Sequence, residues 1–378
     1  MLITRVTTAV LRGHGWSCFI RIETDEGITG TGECIHGGGG ITGLIDEMAP
    51  MLVGQNPLNY EMLFERIRRA YIFNGALAGN VVTALSGIDI ALLDLVGKAL
   101  DVPAYQLLGG KYRDKVRMYA DCHAGADGTP AAAAEKAKWV VEQGFSALKF
   151  DLDEAGDPNK HDEWNWSASP LEIARMVDTV AAVREAVGPA IDLCVDMHGR
   201  YDISAAIQVS RALEPYSLMW LEEPIPPDNI DALREVRRQS PIPICTGENL
   251  YMRWGFRDVI EQQAADVVMP DLPKCCGLTE GKRIAELAEM YYIAFAPHNV
   301  CGPIGTVASA HCCASVPNFL VLEWHWMERP HWNELVISDP PLIRDGYLHL
   351  PEGPGLGVEL NEDAARRYQK PDTTFFGE

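Results

Sequence analysis

The sequence predicts an α/β protein: a (β/α)8 barrel preceded by a separate α+β region. Two observations carry this. From Lys115 onward, short apolar strands alternate eight times with helical stretches, the pattern of a parallel sheet closed on itself. The first hundred-odd residues have another rhythm, strands and then helices, as in a separate α+β unit. The boundaries that follow are 1–114 for the first unit and 115–344 for the barrel.

In the first unit, "CFIRIETDEG" and "ITGTGEC" flank the turn signal Asp25-Glu26-Gly27 and read as an antiparallel hairpin. Helices are expected near 44–52, 60–71 and 81–100, the last with apolar residues at 85, 88, 92, 95 and 96 on one face. Pro103 and Gly109-Gly110 close the unit. The barrel strands are "VRMYADCH", "SALKFD", "IDLCVDMH", "LMWLEEP", "IPICTGE", "ADVVMPD", "YIAFAPH" and "FLVLEWH". Between them lie helical stretches, several opened by Ser, Asp or Thr or ended by Gly. The polar residues that close the strands are His123, Lys149, Asp196, Glu222, Glu248, Asp271, His298 and Glu323. Their spacing is near 25 residues except for one gap of 47, where "DLDEAGDPNKHDEWNWSAS" reads as an insertion. In a barrel, strand C-termini converge on the face where active sites are built.

Composition narrows the function classes. With 378 residues, 47% of them apolar and 22% charged, the chain is an ordinary globular one. A formal charge of −21 repels phosphate backbones and anionic lipid, so neither a nucleic-acid nor a membrane partner is expected. The N-terminus has no signal-peptide pattern, and a cytoplasmic location is expected. The ten cysteines include no Cys-x-x-Cys and read as buried, reduced small hydrophobes.

Asp196, Glu222 and Glu248 come from consecutive strands, and three carboxylates at close range resist joint ionisation unless a cation joins them. Hard oxygen donors suit Mg²⁺, with Mn²⁺ as a substitute. Glu223, beside Glu222, is expected to face away as a packing or ion-pair residue. Asp271 and His298 form a carboxylate–imidazole pair in which His298 is a candidate base. Lys149 offers a positive charge, as a substrate contact or a base. Glu323 is expected to hydrogen-bond an oxygen on which charge develops, which requires it to be protonated or to share a proton. His198, two residues beyond Asp196 and expected to share its orientation, suits a general acid. His123, Lys149, Asp151, Arg200, Asn299 and Glu323 are the expected substrate contacts. Assembled, these groups describe abstraction of a proton next to a carboxylate.

"VDMHGR", "WLEEP", "TGEN", "MPD", "APHN" and "LEWH", with "SGIDIALLDLVGKALDVPAYQLLGG" before them, resemble the enolase superfamily, and within it the mandelate racemase subgroup. A Lys or His base working with Mg²⁺ is the chemistry of that superfamily. The resemblance implies that the first unit, joined by a C-terminal tail over about 345–378, caps the barrel mouth. Racemases of the subgroup carry Lys-x-Lys on the second strand. Here the motif reads Lys149-Phe150-Asp151, which together with His198 looks like the sugar-acid dehydratases of galactonate or gluconate type. In them the histidine corresponding to His298 removes the C2 proton and that corresponding to His198 assists loss of the C3 hydroxyl, giving a 2-keto-3-deoxy acid. An epimerase or lactone cycloisomerase is the nearest rival, and a catalytically silent binding or regulatory protein a more distant one. A homo-oligomer, dimer or octamer, is also implied. His14, Trp16 and "HGGGGI" of the cap, and His161, Trp164 and Trp166 of the insertion, are candidates for contacts to the sugar tail, Trp164 and Trp166 suiting loop packing or an oligomer contact equally well.

Overall fold

The computed structural model describes residues 1–35, 40–122, 128–153, 157–160, 162, 164–275, 277–325 and 327–378. The cap is built on an antiparallel sheet of β1 (Ile3–Gly13), β2 (Gly15–Thr24) and β3 (Thr29–Cys34), in that order. The expected hairpin is β2–β3, turning at 25–28. The strand before it, β1, adds a longer edge that lacks simple alternation because several consecutive residues are buried. Helices α1 (Ile41–Met48) and α2 (Tyr60–Ala70) lead to α3 (Asn80–Leu100), which lies across the sheet. A Cβ at Gly30 or Gly32 would collide with the Ala91 and Gly87 carbonyls of α3, so the glycines of "ITGTGEC" permit the close approach. By length and composition α3 could cross a membrane, but 94% of its apolar window is buried within the protein. Leu85, Ile88, Leu92 and Leu95 are buried there, each side chain contributing about 1.5–3 kcal/mol.

After the short α4 (Ala104–Leu107), eight parallel strands form the barrel: β4 (Lys115–Asp121), β5 (Ala147–Asp151), β6 (Asp192–Asp196), β7 (Trp220–Glu222), β8 (Ile244–Thr246), β9 (Val267–Val268), β10 (Ala294–Phe295) and β11 (Leu322–Trp324). Each pairs with the next from β4 to β10, and β11 pairs with β4. The ring closes between β10 and β11 through the Phe295–Phe319 bridge and the Leu320 amide on the Phe295 carbonyl. Around it run α5 (Pro130–Glu142), α6 (Pro170–Val187), α7 (Ile203–Leu213), α8 (Ile230–Gln239), α9 (Met252–Glu261), α10 (Leu272–Cys275), α11 (Gly277–Glu289) and α12 (Pro303–Ala314). Ser169 and Glu172 start α6 with a reciprocal capping box. Tyr119, Cys194, Trp220, Cys245, Met269 and Val321 fill the barrel interior, making it a packed core.

The tail first returns to the barrel. β12 (Ile343–Arg344) and β13 (Tyr347–His349) form a hairpin that pairs antiparallel with β4. Only then does the chain reach the cap, where Gln369 and Phe375 bridge to Leu11 and Ala9 of β1. The nine described cysteines are all buried.

Candidate active site

The strand ends converge as the spacing demands. Asp196 closes β6 and Glu222 closes β7. Glu248 stands two residues past β8, beyond Gly247. One oxygen from each of the three lies within 4.8 Å of the others. Burial pushes the Glu222 carboxyl well above its ordinary range and the Asp196 charge pushes it further, with Lys149 opposing. Such a set gains most from a cation. Two other groups have metal-ligand spacing, Asp121–Glu323–His325 and Asp151–Asp196–His198. Each uses an imidazole already held by carboxylates. The all-oxygen trio fits a hard divalent ion better.

Of the two roles expected for Glu223, packing and ion pairing, the first is seen. It is buried but has no Lys or Arg within ion-pair distance among the described residues. Its carboxylate accepts from Thr246 Oγ1 (3.2 Å), the Gly247 amide (3.3 Å) and Asn249 Nδ2 (2.8 Å). It braces the loop that presents Glu248.

Lys149, on β5, is 2% exposed and surrounded by acids: Asp196 Oδ2 at 3.2 Å, Glu222 Oε1 at 2.8 Å and Glu323 Oε1 at 2.8 Å. Burial opposes its charge, but these carboxylates hold it well above the usual lysine range. Glu323 is likewise fixed, accepting from the Asn299 amide (3.1 Å) and from His325 Nε2 (3.1 Å). Against the opposing effect of burial, Lys149, His298 and His325 hold it well below the carboxylate range. Glu323 was expected to be protonated or to share a proton as charge develops, and its hydrogen bond with His325 Nε2 is the one through which a proton can be shared.

His298 is placed by the loop after β10, where Nδ1 lies 2.7 Å from Asp271 Oδ2. Nε2 looks across the mouth at Glu248 Oε2 (3.1 Å) and Glu323 Oε2 (3.8 Å). Burial lowers its pKa, yet Glu248, Glu323 and Asp271 together raise it to about 8. His198 does not continue the strand. Its φ is +47° and its amide donates to Asp196 Oδ1 at 2.7 Å, so a turn rather than the pleat aims the ring. Nδ1 lies 2.6 Å from Asp153 Oδ1 and Nε2 3.6 Å from Asp196 Oδ2. Burial opposes the imidazolium, but Asp153 and Asp196 raise its pKa to about 10.

Three groups were missed by the sequence reading. His325 lies 3.0 Å from Asp121 Oδ2 and 3.1 Å from Glu323 Oε1. Asp153 holds His198, and Lys274 reaches Asn249 Oδ1 at 3.2 Å. For two of them the signal available was a spacing of two from a strand-end acid, 325 after 323 and 153 after 151. Of the described expected substrate contacts, Lys149 lines the cavity, and Asn299, Arg200, Asp151 and Glu323 do not. Asn299 is 0% exposed, its amide donating to Thr306 Oγ1 and the Glu323 carbonyl. Arg200 is more than half exposed and pairs with Asp153 Oδ2 at 3.0 Å, outside the cavity wall. Asp151 ends β5 and is also off that wall. His123, His161 and 36–39 of "HGGGGI" lie outside the described residues; Trp164 and Trp166 are exposed. The cavity holds about 210 Å³, with His14 and Ile35 of the cap facing Lys149, His198, His298 and His325.

Known families match over most of the chain. Residues 131–364 match the enolase C-terminal domain-like family, and residues 7–109 the N-terminal domain of the mandelate racemase / muconate lactonizing enzyme family. The chain belongs to this family. It is 44% identical over 377 residues to a D-xylonate dehydratase of Haloferax volcanii, covering 100% of this chain and 91% of the relative. A D-galactonate dehydratase of Pectobacterium atrosepticum is 34% identical, covering 96% and 93%. A D-gluconate dehydratase of Thermoproteus tenax is 32% identical, covering 95% and 71%. A crystal structure of a mandelate racemase/muconate lactonizing enzyme-like protein from Rubrobacter xylanophilus superposes with a TM-score of 0.96 at 48% identity, over 100% and 99%.

Proposed function

We propose that the protein is a Mg²⁺-dependent hydro-lyase that dehydrates an aldonate, with D-xylonate the first candidate, to a 2-keto-3-deoxy acid. The observation that carries the reading is the placement of two differently held imidazoles on opposite sides of one acidic cavity. β6 and β10 are four strands apart in an eight-membered ring, so His198 and His298 approach bound substrate from opposite faces.

Asp196, Glu222 and Glu248 are the residues that would hold the divalent ion, and when bound the ion supplies Lewis-acid polarisation of the substrate carboxylate. Asp271 accepts from Nδ1–H of His298 and fixes the tautomer in which Nε2 takes the C2 proton. Loss of the C2 proton gives the enediolate of the acid, which either takes a proton back at C2 from His298 or goes on to form the C2=C3 bond as the C3–O bond breaks. His198, held as an imidazolium by Asp153, gives its proton to the departing hydroxyl, which leaves as water. The enol then tautomerises to the 2-keto acid. Lys149 balances the charge of Asp196, Glu222 and Glu323 beneath the reacting carbons. Position 151 carries Asp, not a second lysine on the far face, which favours elimination over racemisation.

The test is turnover of a stereochemically complete aldonate and aldarate panel with Mg²⁺, read as 2-keto acid. Formation of keto acid from a pentonate or hexonate is expected. Deuterium entering C2 without keto acid from any substrate would replace this reading by the epimerase or cycloisomerase.

A further inference from the structure

We propose that Glu33 and Asp89, two carboxylates of the cap, are positioning residues for the Asp271–His298 pair: each closes on the N-terminal amides of the barrel helix that follows one member of the pair. Seating of the cap and alignment of the base are then one event. The inference rests on the reading of His298 as the base.

Glu33, on β3, is 0% exposed and reaches out of the cap to the start of α12. Its Oε1 accepts from the Gly302 amide at 2.6 Å and its Oε2 from the Gly305 amide at 2.9 Å. Gly302 is four residues from His298, and the loop between has no slack. The Asn299 amide is spent on Glu323 and its side chain on Thr306, and 298–302 are all buried. A shift of the α12 N-terminus therefore moves the imidazole. Asp89, in the middle of α3, does the same for α11. Oδ2 accepts from the Leu278 amide at 2.7 Å and the Thr279 amide at 3.3 Å, and Oδ1 from Thr279 Oγ1 at 3.0 Å. The short α10 and residues 276–277 separate this contact from Asp271, whose carbonyl accepts from the Cys275 amide at 2.7 Å.

The barrel is shaped for both contacts. A Cβ at Gly302 would stand 2.7 Å from Glu33 Oε1, and one at Gly277, where φ is +72°, 2.5 Å from Asp89 Oδ2. Neither carboxylate has an ion-pair partner among the described residues, so the amides at the start of each helix, with the Ser17 hydroxyl for Glu33 and the Thr279 hydroxyl for Asp89, are what offset its burial. An apolar contact would seat the cap without fixing direction, whereas hydrogen bonds to backbone amides set distance and angle. Asp94, one turn further along α3, is the internal contrast. It accepts from the Thr31 and Leu356 amides, both at 2.8 Å, and pairs with Lys98, tying the cap to its own strand and to the tail.

The experiment compares Glu33→Gln, Asp89→Asn and Asp94→Asn in the full-length protein with Mg²⁺ and the aldonate that the wild type dehydrates. kcat, KM, C2 deuterium exchange and amide hydrogen exchange over 268–280 and 296–306 are read together. Misplacement of a catalytic group by about 1 Å costs about 10²-fold. Glu33→Gln should therefore lower kcat and C2 exchange about 10²-fold with KM within about threefold, and speed amide exchange over 296–306. Asp89→Asn should act over 268–280 in the same way. Asp94→Asn should lower the Tm and keep kcat within about twofold. If Glu33→Gln does not fold, Gly302→Ala, which presses a methyl against the same carboxylate, should give its signature. Wild-type kcat in Glu33→Gln, or an equal loss in Asp94→Asn, would overturn the proposal. If the wild type dehydrates no aldonate, the functional reading fails on its own. Amide exchange then decides alone: loosening of 296–306 in Glu33→Gln but not in Asp94→Asn supports positioning, and unchanged protection overturns it.

Discussion

The two sides of the barrel mouth handle charge differently. Where β6, β7 and β8 end, Asp196, Glu222 and Glu248 crowd together, with Lys149 touching only the first two. Where β9, β10, β11 and β4 end, each imidazole already lies against acids: His298 against Asp271, Glu248 and Glu323, and His325 against Asp121 and Glu323. The first side is an excess of negative charge that calls for an ion from outside. The second is balanced within the chain and suits the movement of protons. A single acidic cavity thus sets the three candidate metal ligands, with His198 beside them, on one side and the Asp271–His298 pair on the other.

The largest effect should come from the first side. Glu222→Gln should lower dehydration at least about 10³-fold, the scale of a lost metal contribution of several kcal/mol. Mg²⁺ should raise the Tm of the wild type and leave that of Glu222→Gln unmoved. Equal Mg²⁺ stabilisation of both would erase the contrast between the two sides. Next comes the link that holds His198. Asp153→Asn removes the partner of Nδ1 and should slow dehydration about 10- to 100-fold while C2 exchange stays within a few-fold, measured by keto-acid release against deuterium uptake. On the second side, His325→Asn should slow both readouts together about tenfold, because Glu323 loses one of the donors that keep it a carboxylate facing His298. Separation of the two readouts there would show that His325 acts on the leaving group.

The smallest effect lies away from the mouth, where cap, barrel and tail meet. His311 of α12 accepts from the Tyr105 amide through Nδ1 (3.3 Å), and Nε2 faces the Leu356 carbonyl (3.1 Å), so only the neutral Nε2–H tautomer fits. Burial pushes its pKa down to about 4, with the Leu356 carbonyl and Glu352 opposing. The unfolded chain binds this proton near pH 6.5 and the folded one near 4, so stability falls as the pH drops across that window. The Tm of the wild type should decline from pH 6.5 to 4 more steeply than that of His311→Gln, and parallel curves would remove His311 as the cause.

How far the sequence foretold these features depends on what fixes each of them. The barrel and the trio were legible because apolar runs ending in acids at near-regular spacing place Asp196, Glu222 and Glu248 with no knowledge of the loops. The Asp271–His298 pair followed for the same reason, from adjacent strands. The environment of His325 did not. Its partner Asp121 is on the first barrel strand, and they meet only because the ring closes between β11 and β4. The aim of His198 was hidden in a backbone torsion, φ +47°, that a histidine does not advertise. The ionised state of Glu323 depends on three side chains from three strands. β1 escaped notice because its buried run, packed on β2 and bridged by the tail, does not alternate.

The most direct test of two imidazoles working from opposite faces is a paired reaction in D₂O with Mg²⁺ and the active aldonate. His198→Asn and His298→Asn are run side by side, with recovered substrate and product analysed by mass spectrometry. His198→Asn should place deuterium at C2 while releasing keto acid at least about 10²-fold more slowly than the wild type, and His298→Asn should do neither. Undiminished keto acid from His198→Asn, or full C2 exchange by His298→Asn, would contradict the division of labour.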